Sequence, residues 1–206
     1  MKKRIFAAIL ALVTVICSLT AFASCSSEPT DIEELRERFV FLIEESKELN
    51  VVFFGSGLPV YRRDDPLTER KMVYYNSSLG NYERLMENSG YISIDHIKIA
   101  AEEIYSKDYL SEVYEGAFDG IMTGETSAYV RFYDDGEYLY QHMDLYDFTV
   151  NERIYDYSTM RVVEPYSSTY VNIVIESYTL DNPKRQEIDL SFVFENGNWY
   201  LDSPTY

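Results

Sequence analysis

The stretch Ile188-Asp-Leu-Ser-Phe-Val-Phe-Glu-Asn-Gly-Asn-Trp-Tyr-Leu201 decides the fold. Ile188, Leu190, Phe192 and Phe194 alternate with Asp189, Ser191, Val193 and Glu195. That period of two assigns a β-strand with one buried face. Asn196-Gly197 then makes a hairpin turn, because both residues tolerate the positive φ that a two-residue connection needs. Trp199 and Leu201 return along the core face, and Pro204 stops the strand.

Working back along the chain, residues 159–164 and 170–179 read as the preceding strands. Tyr129-Val-Arg-Phe-Tyr133 and Glu137-Tyr-Leu-Tyr140 flank Asp134-Asp135-Gly136 as another hairpin. Residues 71–75 and 82–86 read as two short strands around Asn76-Ser-Ser-Leu-Gly-Asn81. Toward the N-terminus the period lengthens. Thr30-Asp-Ile-Glu33 is a capping box, and Ile32, Leu35, Phe39, Leu42, Ile43 and Leu49 form one apolar stripe of a helix to about Asn50. Glu33, Glu34, Glu37, Glu44, Glu45 and Glu48 fall largely elsewhere, as on a solvated face. Ser93 caps a second helix with Ile97, Ala100, Ala101 and Ile104 inward. Ser106 and Asp108 mark a restart, after which Tyr109, Leu110, Val113, Tyr114, Ala117 and Phe118 carry a short helix to Gly120. Helices gather in the first half and strands in the second. The class is α+β, with N-terminal helices packed on a curved antiparallel β-sheet in the C-terminal half.

Val51-Val-Phe-Phe-Gly-Ser-Gly-Leu-Pro-Val-Tyr61 fits neither pattern and is expected to be a packed, irregular loop. Gly55-x-Gly57 lacks the third glycine and the following helix of a phosphate-cradling turn, so nucleotide binding is not expected.

Met1-Lys-Lys-Arg4, the apolar run Ile5 to Ile16 and the small residues up to Ser24 have the three parts of an export signal. The strictly apolar run is shorter than the ~20 residues that span a bilayer. Two cleavage patterns overlap. Ala21-Phe22-Ala23 suits ordinary signal peptidase, whereas Phe22-Ala23-Ser24-Cys25 resembles a bacterial lipobox with Phe in place of the usual Leu. Of the two cysteines, Cys17 lies inside the discarded run, which leaves Cys25 as a lone thiol in an exported protein. Lipid attachment at Cys25 gives it a role. The expected organisation is a signal peptide over 1–24, a lipidated cysteine and tether over 25–30, and one α+β domain over 31–206. The protein would then sit on the outer face of a bacterial cytoplasmic membrane, with secretion as the alternative.

Across its 206 residues the chain has 18 Lys and Arg against 35 Asp and Glu, a net charge of -17. All the acids and all but three of the basic residues fall in 25–206. That balance argues against nucleic acid, whose backbone demands clustered cations, and against anionic lipid bound by charge alone.

No nucleophile elbow, zinc-protease helix, phosphate loop or spaced Cys or His pair is present, and the sequence implies no cofactor and no metal. His96 falls in the first turn of a helix, and His142 follows a tyrosine-rich strand with no sequence partner. Asp134-Asp135-Gly136 lacks the further acids of a calcium loop and reads as a β-turn. A hydrolase working by a carboxylate pair needs only two acids at the right separation, and the 35 acidic residues single none out. The 20 tyrosines fit either a glycan or peptide platform or half-buried strand positions.

Helices followed by an antiparallel sheet closing on Glu195-Asn-Gly-Asn-Trp199 resemble the nuclear-transport-factor-like and cystatin-like folds over about 93–206. The succession Tyr105-Ser-Lys-Asp-Tyr-Leu110, Tyr133-Asp-Asp-Gly-Glu-Tyr-Leu-Tyr140 and Phe194-Glu-Asn-Gly-Asn-Trp-Tyr-Leu201 is similar to the secreted inhibitors of cell-wall DL-endopeptidases. That likeness implies a protruding inhibitory loop, for which Asp144 to Arg153 is the place. Phe53-Phe-Gly-Ser-Gly-Leu-Pro59 and the ending Leu201-Asp-Ser-Pro-Thr-Tyr206 resemble uncharacterised lipoproteins of Gram-positive, Firmicutes-type bacteria. The absence of a catalytic constellation, the likeness to endopeptidase inhibitors and the acidic balance together lead to the expectation of a non-catalytic module that binds a basic envelope protein, such as a wall hydrolase. The alternative is a small-ligand or glycan binder, or a hydrolase, with a pocket in the sheet cone. Phe54 and Leu58, or Tyr146 and Phe148, are the candidate interface anchors, and core packing is the competing role for all four.

Overall fold

The computed structural model describes residues 32–62, 81–120, 130–145 and 153–206. Thr30, Cys25, the strand expected over 71–75, and Tyr146 and Phe148 lie outside the described residues. Helix α1, Ile32–Phe53, buries Phe39, Leu42, Ile43 and Leu49 as its stripe requires. Glu34, Glu37, Glu44, Glu45 and Glu48 face outward. The helix runs one turn past Asn50, and its added residues Val52 and Phe53 are buried. Among the described residues, no helix is long and apolar enough to cross a membrane.

Helix α2, Ile94–Glu102, starts at Ser93, whose hydroxyl accepts the His96 amide. Helix α3, Lys107–Tyr114, starts at Ser106, whose hydroxyl accepts the Tyr109 amide. Each cap satisfies one of the orphan N–H groups of a first turn. A π-helical turn, Glu115–Asp119, follows α3 and ends at Gly120, whose φ is 81°.

Among the described residues the strands form two antiparallel sheets where the sequence suggested one. Strands β1 (Tyr82–Arg84), β2 (Phe132–Asp134) and β3 (Leu139–His142) make a small sheet in the order β1-β3-β2. Strands β4 (Arg153–Ser167), β5 (Tyr170–Thr179), β6 (Gln186–Glu195) and β7 (Asn198–Leu201) make a meander in sequence order. The division follows from partner choice: β3 spends its edges on β1 and β2. The β6–β7 turn is as read, with Asn196 at φ 50° and Gly197 at φ 87°.

Strand β4 begins six residues before the expected start at 159. Its register against β5 shifts between Asp156 and Arg161, a bulge that hides the period of two. Arg36 on α1 reaches into this shifted stretch, donating to Tyr157 O at 2.7 Å and Met160 O at 3.0 Å. Arg38 donates to Trp199 O at 3.1 Å on the other side of the meander.

The core forms where α1 lies on the meander. Phe39 stacks on Phe192 at 3.9 Å between centroids and meets Trp199 edge-on at 5.6 Å. Leu190, Phe192, Trp199 and Leu201 are buried on that face as expected. Two neighbours on it need correcting: Ile188 is half-buried, and Phe194 is 38% exposed. Phe194 sits on the core face but leans on Trp199 at 5.4 Å near the end of the strand. The free edge of β7 is occupied by the α2–α3 junction, where Leu201 donates to Ile104 O and Ser106 donates to Leu201 O.

Trp199 is 7% exposed and bridges helix and sheet. Trp199→Ala is expected to cost about 3–5 kcal/mol, read as a lower urea midpoint with an unchanged slope.

Candidate functional site

The Gly55-Ser56-Gly57 turn is a structural device. Its amides are spent internally: Gly55 and Gly57 donate to Val51 O at 3.1 and 3.0 Å, and Leu58 donates to Gln141 Oε1 at 2.7 Å. Arg131, 1% exposed, donates from Nε to Val52 O at 2.9 Å and from a terminal nitrogen to Gly55 O at 2.6 Å. A guanidinium at the carbonyl end of a helix satisfies orphan acceptors and favours the negative pole of the dipole. With these amides spent, the turn does not offer a phosphate the ring of free N–H groups it would need. Of the two candidate anchors here, Leu58 is buried in the core. Phe54 is half-buried, packed against the core, with its ring 4.7 Å from that of Tyr206.

The two histidines and the Asp134-Asp135 turn make local contacts. His96 is exposed, its ring edge-on to Tyr91. His142 ends β3, where its ring packs edge-on against Tyr82 and its Nδ1 accepts the Asp144 amide at 3.1 Å. Burial pushes its pKa down, and Arg131 adds to that while Asp144 opposes it. Asp134-Asp135-Gly136 is the turn read from sequence: Asp135 Oδ1 accepts the amides of Glu137 and Tyr138 at 2.9 and 2.7 Å. Burial works against the Asp135 carboxylate, yet those two amides and the Tyr140 hydroxyl hold its pKa below the usual carboxylate range. Tyr140 is pushed up to about 12 by burial and by Asp135. Among the described residues, no group of three or more His, Cys, Asp or Glu side chains could hold a metal ion.

Two regions face outward with a composition suited to binding. The first is the β4–β5 hairpin end. Ser167 pairs with Tyr170 across Ser168-Thr169, and Thr169 O accepts the Phe194 amide at 2.9 Å. All of 164–170 is exposed. Tyr166 is 51%, Tyr170 37% and Phe194 38% exposed. Tyr170 pairs with Val193 on the outer face of the meander, whereas Phe194 pairs with Trp199 on the inner face. The end of the sheet thus carries aromatic rings on both sides. The clue in the sequence was Glu164-Pro-Tyr-Ser-Ser-Thr-Tyr170, a turn-forming cluster with two tyrosines between strands.

The second region is a cleft of about 310 Å³ at the C-terminal end of α1, lined by Lys47, Glu48, Asn50, Val51, Arg153, Thr205 and Tyr206. A buried polar network forms its back wall. Asn50 Nδ2 donates to Thr205 Oγ1 at 2.8 Å, the Tyr105 hydroxyl donates to Asn50 Oδ1 at 2.8 Å, and the Tyr155 hydroxyl donates to Thr205 O at 2.7 Å. Burial raises the Tyr105 and Tyr155 pKa values far above the ordinary range, so both remain donors at any physiological pH. No sequence signal could have assembled this set, because Asn50 and Thr205 are 155 positions apart.

Neither protein-family models nor curated proteins match the chain.

At Gly57 the φ of 77° is in the left-handed region, and a Cβ there would meet Gln141 Oε1 at 2.0 Å. Gly57→Ala is therefore expected to destabilise the fold by about 1–3 kcal/mol, seen as a lower melting temperature with unaltered far-ultraviolet dichroism.

Proposed function

We propose that the protein is a non-catalytic binding module, tethered to the cell surface by lipid at Cys25, whose partner is a basic envelope protein. The observation that carries this reading is the β4–β5 hairpin end, with aromatics on both faces of a solvent-exposed blade. Large rings with polar tips are the side chains that dominate interface energetics. A blade with anchors on both sides suits insertion into a groove better than apposition to a flat surface. Glu164 and Glu195 flank the rings, and the chain as a whole is at -17. A basic partner would be steered to it, with an on-rate that falls as salt screens the field.

The groove-filling geometry and the likeness to DL-endopeptidase inhibitors together favour a cell-wall hydrolase as the partner. In this reading the β4–β5 end takes the inhibitory role in place of the loop expected over Asp144 to Arg153, most of which lies outside the described residues.

Two measurements test this. Adding the purified protein to peptidoglycan digestion by envelope DL-endopeptidases is expected to inhibit at low salt and less at high salt. The Tyr166→Ser, Tyr170→Ser double variant should weaken inhibition by roughly 10- to 100-fold, the scale of losing interface anchors. Absence of inhibition, and of any captured basic envelope protein, at either ionic strength sinks the reading. For the anchor, the protein is expected to enter the detergent phase and Cys25→Ala to move it to the aqueous phase. An unsubstituted protein that is already aqueous rules out the lipid anchor.

A further inference from the structure

We propose that the cleft at the C-terminal end of α1 binds a small zwitterion, an α-amino acid or dipeptide with an apolar side chain. The site lies away from the β4–β5 hairpin and stands independently of the protein-binding reading.

Charge is the first argument. In a chain with 35 acidic and 18 basic residues, two cations, Lys47 and Arg153, line one cleft. Arg153 donates to Ser177 Oγ at 3.2 Å and forms no ion pair among the described residues. A guanidinium has five N–H donors, so most of its fork is open to a carboxylate. Lys47 contacts both oxygens of Glu44 at 2.9 Å, which leaves one of its three ammonium donors. Glu48 lines the same cleft and makes no ion pair among the described residues. A purely anionic ligand would be repelled by Glu48, and a purely cationic one by Lys47 and Arg153. A ligand that carries both a carboxylate and an ammonium group answers all three side chains.

Shape and polarity are the second argument. Val51 is exposed and lines the cleft beside Tyr206, whose ring is braced by Phe54 at 4.7 Å. These supply an apolar wall for a side chain. The volume of about 310 Å³ is at the lower end of small-ligand sites, which run from roughly 300 to 1,000 Å³, and suits nothing larger than a dipeptide. Asn50 and Thr205 are held by the Tyr105 and Tyr155 hydroxyls. The back wall is therefore ordered before a ligand arrives, which lowers the entropic cost of binding.

The test is a chemical-shift titration of the full chain in detergent solution with three probes: L-phenylalanine, 3-phenylpropionate, which lacks the amine, and phenethylamine, which lacks the carboxylate. Phenylalanine is expected to bind saturably at millimolar concentration or below, and each single-charge analogue roughly tenfold more weakly, the scale of one charge-assisted contact. Arg153→Met should weaken phenylalanine about tenfold. Glu48→Gln should weaken phenylalanine and leave 3-phenylpropionate unchanged or tighter. Lys184→Met, at an exposed position outside the cleft, should change nothing. Three results overturn the proposal: no saturable shift with any probe, phenylalanine binding indifferent to Arg153→Met in a folded variant, or equal binding of phenylalanine and 3-phenylpropionate with Glu48→Gln silent.

Discussion

A charged guanidinium buried at the end of a helix holds the two halves of this molecule in one arrangement. Arg131 is 1% exposed, and its donors meet the carbonyls of Val52 and Gly55. Taking a charge out of water is costly unless it is hydrogen-bonded on arrival. Arg131 can be buried because α1 ends there, with unpaired carbonyls and the negative pole of its dipole. Those carbonyls in turn gain a partner that water can no longer provide. The small sheet, with Gln141 in β3 and Arg131 just before β2, is thereby fastened to the last turn of α1, and Gly57 must lack a Cβ for Gln141 to fit.

Helix α1 serves both sheets. Its middle lies on the meander through the Phe39–Phe192 stack, and its C-terminal end is gripped from the small sheet. Ser46 and Asn50 interrupt the apolar stripe at buried positions, which would be expensive without partners. Thr205 supplies them, bonding Ser46 Oγ at 2.6 Å and Asn50 Nδ2 at 2.8 Å. The C-terminal segment is thus fastened across the helix, and the cleft forms along that seam. The other outward-facing region arises differently: the sheet carries rings to its hairpin end, where Phe194 leans on Trp199.

Much of the fold is legible in short-range pattern. The alternation in β6, the Asn196-Gly197 turn, the Ser93 and Ser106 caps and the Asp134-Asp135-Gly136 turn each depend on residues within a few positions of one another. Local chemistry decides them wherever they are placed. The stripe of α1 belongs with these, since a helical period needs only the helix to express it.

What the tertiary structure decided involves partners distant in the chain. Val51-Val-Phe-Phe54 reads as the start of a loop because a Gly-Ser-Gly turn and Pro59 follow it. Yet Val51 to Phe53 continue the helix, where Arg131, 79 positions away from Val52, donates to its end carbonyl. The division of the strands into two sheets, the contact of Arg36 with the shifted stretch of β4 and the exposure of Phe194 all depend on what packs opposite. The cleft is the extreme case: Lys47, Arg153 and Thr205 carry no mutual signal in one dimension. Spacing along a chain records only periodicities within an element. The chemistry of this protein lies between elements, where burial and the demand to pair every buried polar group choose the neighbours.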